Sequence, residues 1–296
     1  DQQDLNFAAN AKWSPVNCFT LAGGLSYKWN RTEYYKILDD LLGGDYYVNI
    51  DQFAERDYAS SVTMYQNDLD YYLKNGKAQT LKQGDKYGYD YYANVRRAEA
   101  WVSGKFSKFG LDVALAGRIG YTKYWREGLL RKGLFPGLDA NGQPMTYEGK
   151  PITTYDPITG DAITSLGKSE VKDFLTGAAK LNVSYVIPGG HRVYANAAFI
   201  ADAPNFNQAF ISPRTRNSIV PNLKTNKTLT ADLNYAYSNS GYDVRVTGYY
   251  TAIKDQSKVM SFYDDAQNSF TNFAMSGIDQ RHIGLELGFK VPLPVP

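Results

Sequence analysis

The sequence predicts an all-β fold: an antiparallel up-and-down transmembrane β-barrel segment of about nine strands, with short turns at one rim and long loops at the other. Three observations predict it. Apolar and polar residues alternate with a period of two in segment after segment, the spacing that gives a strand one face of each kind. The connections between these segments are short and long by turns. Aromatic residues gather at the segment ends on the apolar face, as the two interfaces of a bilayer require. Mean hydropathy is −0.44, and no apolar run approaches the ~20 residues of a membrane helix. Neither fact excludes a barrel, because strands with a polar inner face keep the average low.

The first strand sets Leu5, Phe7, Ala9, Ala11 and Trp13 against Asn6, Asn10 and Lys12. The second sets Phe19, Leu21, Leu25, Tyr27 and Trp29 against Thr20, Ser26 and Lys28. The third has Ala98, Ala100, Val102 and Phe106 opposite Arg97, Glu99 and Lys105; the fourth, Leu111, Val113, Leu115, Ile119 and Tyr121 opposite Asp112, Arg118 and Thr122. Ala179, Leu181, Val183, Tyr185 and Ile187 mark the fifth, against Lys180, Asn182 and Ser184. Val193, Ala195, Ala197 and Phe199 mark the sixth, against Arg192 and Asn196. The seventh carries Leu229, Leu233 and Tyr237 against Thr230, Asp232 and Asn234; the eighth, Val244, Val246 and Tyr250 against Asp243, Arg245 and Thr247. The last runs Ile283, Leu285, Leu287, Phe289, Val291, with Glu286 and Lys290 between.

Short turns follow the odd strands, at Pro15–Asn17, Lys108–Gly110, Pro188–Gly190 and Ser238–Gly241. Long loops follow the even ones, over roughly 31–90, 126–172 and 202–226, with a shorter one near 255–272. Sorting by length on two rims is what an outer-membrane barrel does. A two-layer soluble sheet is the alternative reading. It leaves unexplained why the apolar face is aromatic chiefly at strand ends and why so many charges share the other face.

Basic and acidic residues number 32 and 30, a net charge of +2, so no field points to nucleic acid. One cysteine, Cys18, excludes an internal disulfide. Residues 1–15 lack the basic start and apolar middle of a signal peptide. Within the loops, Met64, Tyr65, Leu69, Tyr72 and Leu73 recur at helical spacing and Asn75-Gly76 closes them, which predicts a short helix within 61–76. Asn141-Gly142 suits a hairpin turn, and Asp156-Pro157 marks another turn. Nothing suggests a linker, so 1–296 reads as one barrel domain with no plug domain.

Two stretches resemble a known family. Residues 217–256 resemble a barrel segment of TonB-dependent outer-membrane receptors, with Pro221, Asn222, Leu223 and Lys224 at a Pro-x-Leu-Lys-like element before a strand, a tight turn and an aromatic-ended strand. Residues 261–293 are similar to the next loop and strand, with Asn272, Gly277, Gly284 and Glu286 matching an Asn and a Gly ahead of a Gly-x-Glu strand. The match is close over 200–293 and architectural before that. The resemblance implies a larger barrel of about 22 strands around a plug, of which this chain supplies part. It implies a place in the Gram-negative outer membrane. Outer-membrane lipid, the missing plug and remaining strands, and the TonB complex acting through the plug are the implied partners, and a surface lipoprotein is a candidate one. Uptake of a nutrient is the implied function. A passive barrel, or a surface protein whose loops bind a partner, is the alternative. In this view Pro294, Val295 and Pro296 stand at a turn that leads to a further strand.

No catalytic residue, metal site or cofactor is expected. His191 sits at the Gly189-Gly190 turn as a solvated residue. His282 shares the face of Glu286. Asp264-Asp265 in the preceding loop gives a hydrolase only slender support. Asp39, Asp40, Asp45 and Asp51 lack calcium-loop spacing. The residues expected toward the lumen, as plug or path contacts, are Arg97, Glu99, Arg118, Arg192, Asp232, Arg245, His282 and Glu286. The first long loop is crowded with tyrosine, whose wide ring and hydrogen-bonding tip suit capture of a ligand or partner. Tyr46, Tyr47, Tyr58, Tyr65, Tyr71 and Tyr72 are the candidate contacts, and packing within the loop is the competing use.

Overall fold

The computed structural model of the chain describes residues 1–157, 159–265 and 269–291. Nine long strands follow one another: β1 (Gln2–Val16), β2 (Phe19–Ile37), β3 (Lys86–Lys108), β4 (Leu111–Gly128), β5 (Lys172–Ile187), β6 (His191–Asp202), β7 (Asn226–Ser238), β8 (Asp243–Asp264) and β9 (Ser269–Lys290). Their order across the sheet is their order along the chain, and every pairing is antiparallel. A short segment, Gly167–Lys168, adds to the free upper edge of β4 at Glu127 and Gly128. The outer edges of β1 and β9 have no partner among the described residues.

The register carries the apolar face across the whole sheet. One row reads Ala9, Leu25, Ala100, Ile119, Gly177, each paired with the next. Another reads Leu115, Leu181, Ala197, Ala231, Tyr250, Ile283. A one-residue slip would turn a strand's apolar set to the other side. None occurs within this band; the register shifts lie at Trp13/Val16, Tyr35/Lys36 and between Ile253 and Lys258. The band faces outward unburied: Phe7 is 61% exposed, Leu233 61% and Leu285 78%. A soluble sheet would not leave such a contiguous area bare.

The band has two edges. At the turn side lie Trp13, Phe106, Tyr185, Tyr242 and Phe289, all exposed. At the loop side lie Tyr27, Tyr121 and Tyr250. Just above these, the outward positions turn charged: Arg96 beside Trp29, Lys123 beside Asp173, Lys227 beside Lys254, and Arg281 beside Ala252. The Arg96 guanidinium lies 4.5 Å from the Trp29 ring centre and 5.1 Å from that of Trp125, an interfacial pairing of cation and aromatic. From Leu111 to Tyr121, β4 extends about 34 Å. At a tilt of about 45° this covers about 24 Å along the normal, close to the ~25 Å apolar band of an outer-membrane barrel.

The turns obey local stereochemistry. Phe109 and Gly110 both have positive φ, 54° and 77°, the pattern of a two-residue hairpin turn that matches strand twist. On the polar face Gly284 sits under the Tyr249 ring, where an added Cβ would lie 2.6 Å from Tyr249 Cζ and Oη. A larger residue there would have to push the Tyr249 ring aside, so the close approach favours glycine.

Several elements differ from expectation in extent. The strands run on above the band, so β2 continues to Ile37, β3 starts at Lys86, and β8 and β9 extend through most of the expected 255–272 loop. Asp264 therefore lies in a strand. In these extensions polar and aromatic residues mix with scattered aliphatic ones such as Ile37, Val259 and Met275, and alternation fades. The loop helix is α2 (Leu69–Asn75), with Asp68 as N-cap and Gly76 left-handed at φ 67°; Met64 and Tyr65 precede it. A second helix, α1 (Gln52–Asp57), was not foreseen. The hairpin of the second long loop forms at Thr146–Tyr147 and Lys150–Pro151, while Asn141-Gly142 makes the neighbouring turn closed by Asp139. Pro294, Val295 and Pro296 lie outside the described residues.

Candidate functional site

On the polar face, Arg97, Glu99 and Arg118 come together as expected neighbours, joined by Asp202, which was not foreseen. Arg97 and Arg118 each reach Glu99 at 2.8 Å. Arg118 also reaches Asp202 at 2.6 Å, and Arg97 reaches it at 3.5 Å. Gly120 leaves room for this cluster: a Cβ there would meet Thr176 Oγ1 at 2.7 Å and Glu99 Cγ at 3.0 Å. Asp232 belongs to a second network. Asn182 donates to Asn196 at 2.5 Å, Asn196 to Asp232 at 2.7 Å, Asn234 also to Asp232, and Thr247 to Asn234 at 2.6 Å. These two networks link polar groups along the inner wall from β3 to β8, although Arg97 Nε, Arg118 Nε and Thr176 Oγ1 are buried there without a hydrogen-bond partner.

The remaining expected positions stand apart. Arg192 donates to Ser184 Oγ at 2.8 Å near the turn rim. Arg245 is exposed opposite Gly288; Glu286 pairs with Thr247 and His282 with Thr251, both exposed on β9. His191 is not simply solvated. It bonds Tyr235 Oη at 2.7 Å and packs 4.6 Å from the Tyr237 ring, joining the turn-side aromatics.

The three long loops fold together over the same end of the sheet. Loop 203–225 carries α3 (Phe206–Ala209), and its Phe206 and Phe210 pack on Tyr124 and Phe174 of β4 and β5. Leu223 of the Pro-x-Leu-Lys-like element packs against this cluster. Below the loop, a cavity of about 530 Å³ opens between Lys28, Arg97, Thr122, Asp202 and Phe206. Arg126, 2% exposed, fastens loops 129–171 and 203–225. It donates to Pro213 O at 2.6 Å, to Ser165 O at 2.7 Å and to Asn217. Lys132 ties loop 129–171 to loop 38–85 through Asn67 Oδ1 at 2.7 Å. Leu69 N donates to Arg131 O at 2.7 Å, and Arg131 pairs with Asp70 at 2.9 Å.

The candidate tyrosines separate by environment. Tyr72 is buried and meets Tyr147, hydroxyl to hydroxyl, at 3.3 Å. Tyr65 and Tyr71 are partly covered. Tyr46 and Tyr58 are exposed. Tyr47 lines a second cavity, of about 230 Å³, with Lys36, Asp51, Tyr87, Tyr89, Lys132 and Arg214. Its cations come from the end of β2 and from two loops far apart in sequence, so no local motif signals it. Among the described residues, no group of His, Cys, Asp and Glu is arranged to hold a metal ion.

No protein-family model matches the sequence. No curated protein matches it. Solved structures do. Over 99% of this chain the fold is similar to the copper transporter OprC, at 12% identity and a TM-score of 0.57, covering 36% of that protein. The FrpB iron transporter from Neisseria meningitidis matches over 99% at 11% identity and a TM-score of 0.50, covering 34%. The ferric-catecholate import receptor Fiu from K12 E. coli matches over 98% at 10% identity and a TM-score of 0.50, covering 35%. The chain thus spans about a third of the length of these structures, and at such identity the likeness is one of fold. The resemblance seen in residues 200–293 extends, as architecture, to the whole chain: it has the fold of part of the barrel wall of TonB-dependent receptors.

Proposed function

We propose that this chain is the barrel portion of a TonB-dependent outer-membrane receptor that takes up a scarce nutrient and does no chemistry on it. One observation carries the reading: an unbroken outward apolar band nine strands wide, bounded on the loop side by Arg96, Lys123, Lys227 and Arg281. In this reading the band faces outer-membrane lipid and the long loops stand outside the cell. Further strands pair with the free edges of β1 and β9. The polar wall, including the Arg97–Glu99–Arg118–Asp202 cluster, faces a plug through which TonB acts. Arg192, Arg245, His282 and Glu286 line the same lumen with no ion pair among the described residues, leaving them available to the plug or the passing substrate. The exposed Tyr46 and Tyr58 offer a surface to a partner such as a lipoprotein.

Two measurements on the intact protein, purified from outer membranes in detergent, test this. The periplasmic domain of TonB, immobilised, should retain it. Reconstituted in a planar bilayer, it should hold no steady conductance. A passive barrel would conduct continuously and ignore TonB, and that pair of results would overturn the proposal.

A further inference from the structure

The 230 Å³ cavity among the loops carries an inference beyond the transport reading. Three cations line it, Lys36, Lys132 and Arg214, with one carboxylate, Asp51. Asp51 is engaged, accepting the backbone N–H groups of Phe53 and Ala54. No ion pair joins any of the three cations to a carboxylate among the described residues. Lys132 forms the floor. It is 6% exposed, and its ammonium, with three N–H donors, has the single bond to Asn67. A buried cation without an ion-pair partner is costly; burial pushes the Lys132 pKa down to about 8, and the Asp51 charge opposes this only in part. An anion in the cavity would remove that cost.

The walls specify the rest of the ligand. Tyr47 and Tyr87 meet edge to face at 5.5 Å. At the exposed mouth, Lys36 lies 5.3 Å from the Tyr87 ring centre and 5.6 Å from that of Tyr89, and Arg214 lies 5.4 Å from Tyr89. Flat rings beside cations suit a ring-bearing anion. A cavity of about 150 Å³ holds one benzene, so this one, of about 230 Å³ and open at its mouth, has room inside for a single substituted ring. The loops that form it are already locked by Arg126, Lys132 and Arg131, so little ordering remains to be done on binding.

We propose that this cavity binds a single-ring oxyanion, a carboxylate or phosphate carried on one six-membered ring, with the anion at the Lys132 ammonium and the ring between Tyr47, Tyr87 and Tyr89. The inference needs the loops folded and does not need coupling to TonB, so the two can fail separately. The test is calorimetric titration of the intact detergent-purified protein with benzoate, glucose 6-phosphate and inorganic phosphate. Saturable binding of one or both ring anions, with Kd below about 1 mM and about tenfold tighter than inorganic phosphate, is expected. Benzoate alone would name an aromatic carboxylate, and glucose 6-phosphate alone a sugar phosphate. Lys132→Met should weaken binding by about tenfold or more. Because it also cuts the Asn67 link between loops, Arg214→Gln at the exposed mouth supplies an independent variant, with an expected loss of about threefold to tenfold. Absence of saturation by either ring anion, phosphate binding as tightly as both, or Arg214→Gln without effect would overturn the proposal.

Discussion

Removing the Arg126 guanidinium should open the loop cap while leaving the barrel wall intact. Arg126→Met keeps most of the side-chain volume and deletes three hydrogen bonds, to Pro213 O, Ser165 O and Asn217. Each charge-assisted bond is worth about 1.5–3 kcal/mol at most, and each buried acceptor left unpaired costs about 1–3 kcal/mol. The variant also escapes the cost of burying a cation, which offsets part of the loss. A net ~3 kcal/mol of cap stability is the balance, comparable to about 3–5 kcal/mol for breaking a buried pair. At 1.4 kcal/mol per factor of ten, the open population should rise about 100-fold. Hydrogen exchange reads this directly. The Ser169 amide, bonded to Arg126 O at 2.8 Å, and the Asn217 amide, bonded to Thr164 O at 2.8 Å, are the reporters. Their protection should fall by about two orders of magnitude, while Leu233 and Leu181 in the band stay protected. Unchanged exchange at Ser169 and Asn217 would refute the claim that Arg126 fastens the cap.

Three further outcomes follow from the same geometry. Leu233→Arg, at mid-band with its side chain outward, should destabilise the intact protein by about 2–4 kcal/mol in denaturant unfolding in lipid; Asp232→Asn on the opposite face should not show that penalty. Gly284→Val should cost about 1–3 kcal/mol through collision with the Tyr249 ring, and pairing it with Tyr249→Ala should recover part of the loss in the same unfolding assay. Burial lowers the Lys132 pKa from its ordinary 10.5 to about 8, with Asp51 opposing the shift and Lys36 and Arg126 reinforcing it. The unfolded loops then hold more protons than the folded cap between about pH 8 and 10.5, so cap stability should rise with pH across that window, by up to ~3 kcal/mol. Below pH 8 the cost is fully present. Hydrogen exchange of the Gly133 amide, corrected for intrinsic rate, should show the rise in the wild type and lose it in Lys132→Met.

The barrel wall was legible because a strand with an apolar outer face and a polar inner face writes its two faces into alternate residues. Leu229, Ala231 and Leu233 against Thr230, Asp232 and Asn234 is such a record, and it fixed order, facing and the sorting of turns from loops. The same signal fails above the band. From Arg31 to Ile37 and from Lys86 to Val95 the apolar alternation stops, and the chain is held by groups such as Lys86 between Glu33 and Asp90, or Tyr34 stacked on Tyr91 at 5.2 Å. Those strands therefore read as loop. Of the polar wall, Arg97, Glu99 and Arg118 were visible by parity. Asp202 was not, since it ends the alternating part of β6 and meets Arg118 across an intervening strand. The loop cap was hidden for a related reason. Arg126, Ser165 and Asn217, or Lys36, Lys132 and Arg214, each join a strand end to two long loops and meet only after those loops have folded over the sheet.

The central claim is that alternate residues of each strand face lipid and lumen, the odd-numbered ones of β7 facing lipid. The most direct measurement is cysteine scanning of β7 from Thr228 to Tyr237 in the intact protein in native outer membranes, on a Cys18→Ser background. Fluorophores on Leu229→Cys, Ala231→Cys, Leu233→Cys and Tyr235→Cys should be quenched by brominated lipid and shielded from a water-soluble quencher. Thr230→Cys, Asp232→Cys and Asn234→Cys should show the reverse. A period of two in both quenchers is the predicted result. Equal access of the aqueous quencher to both sets would contradict the account, because the outward apolar band would then not face a membrane.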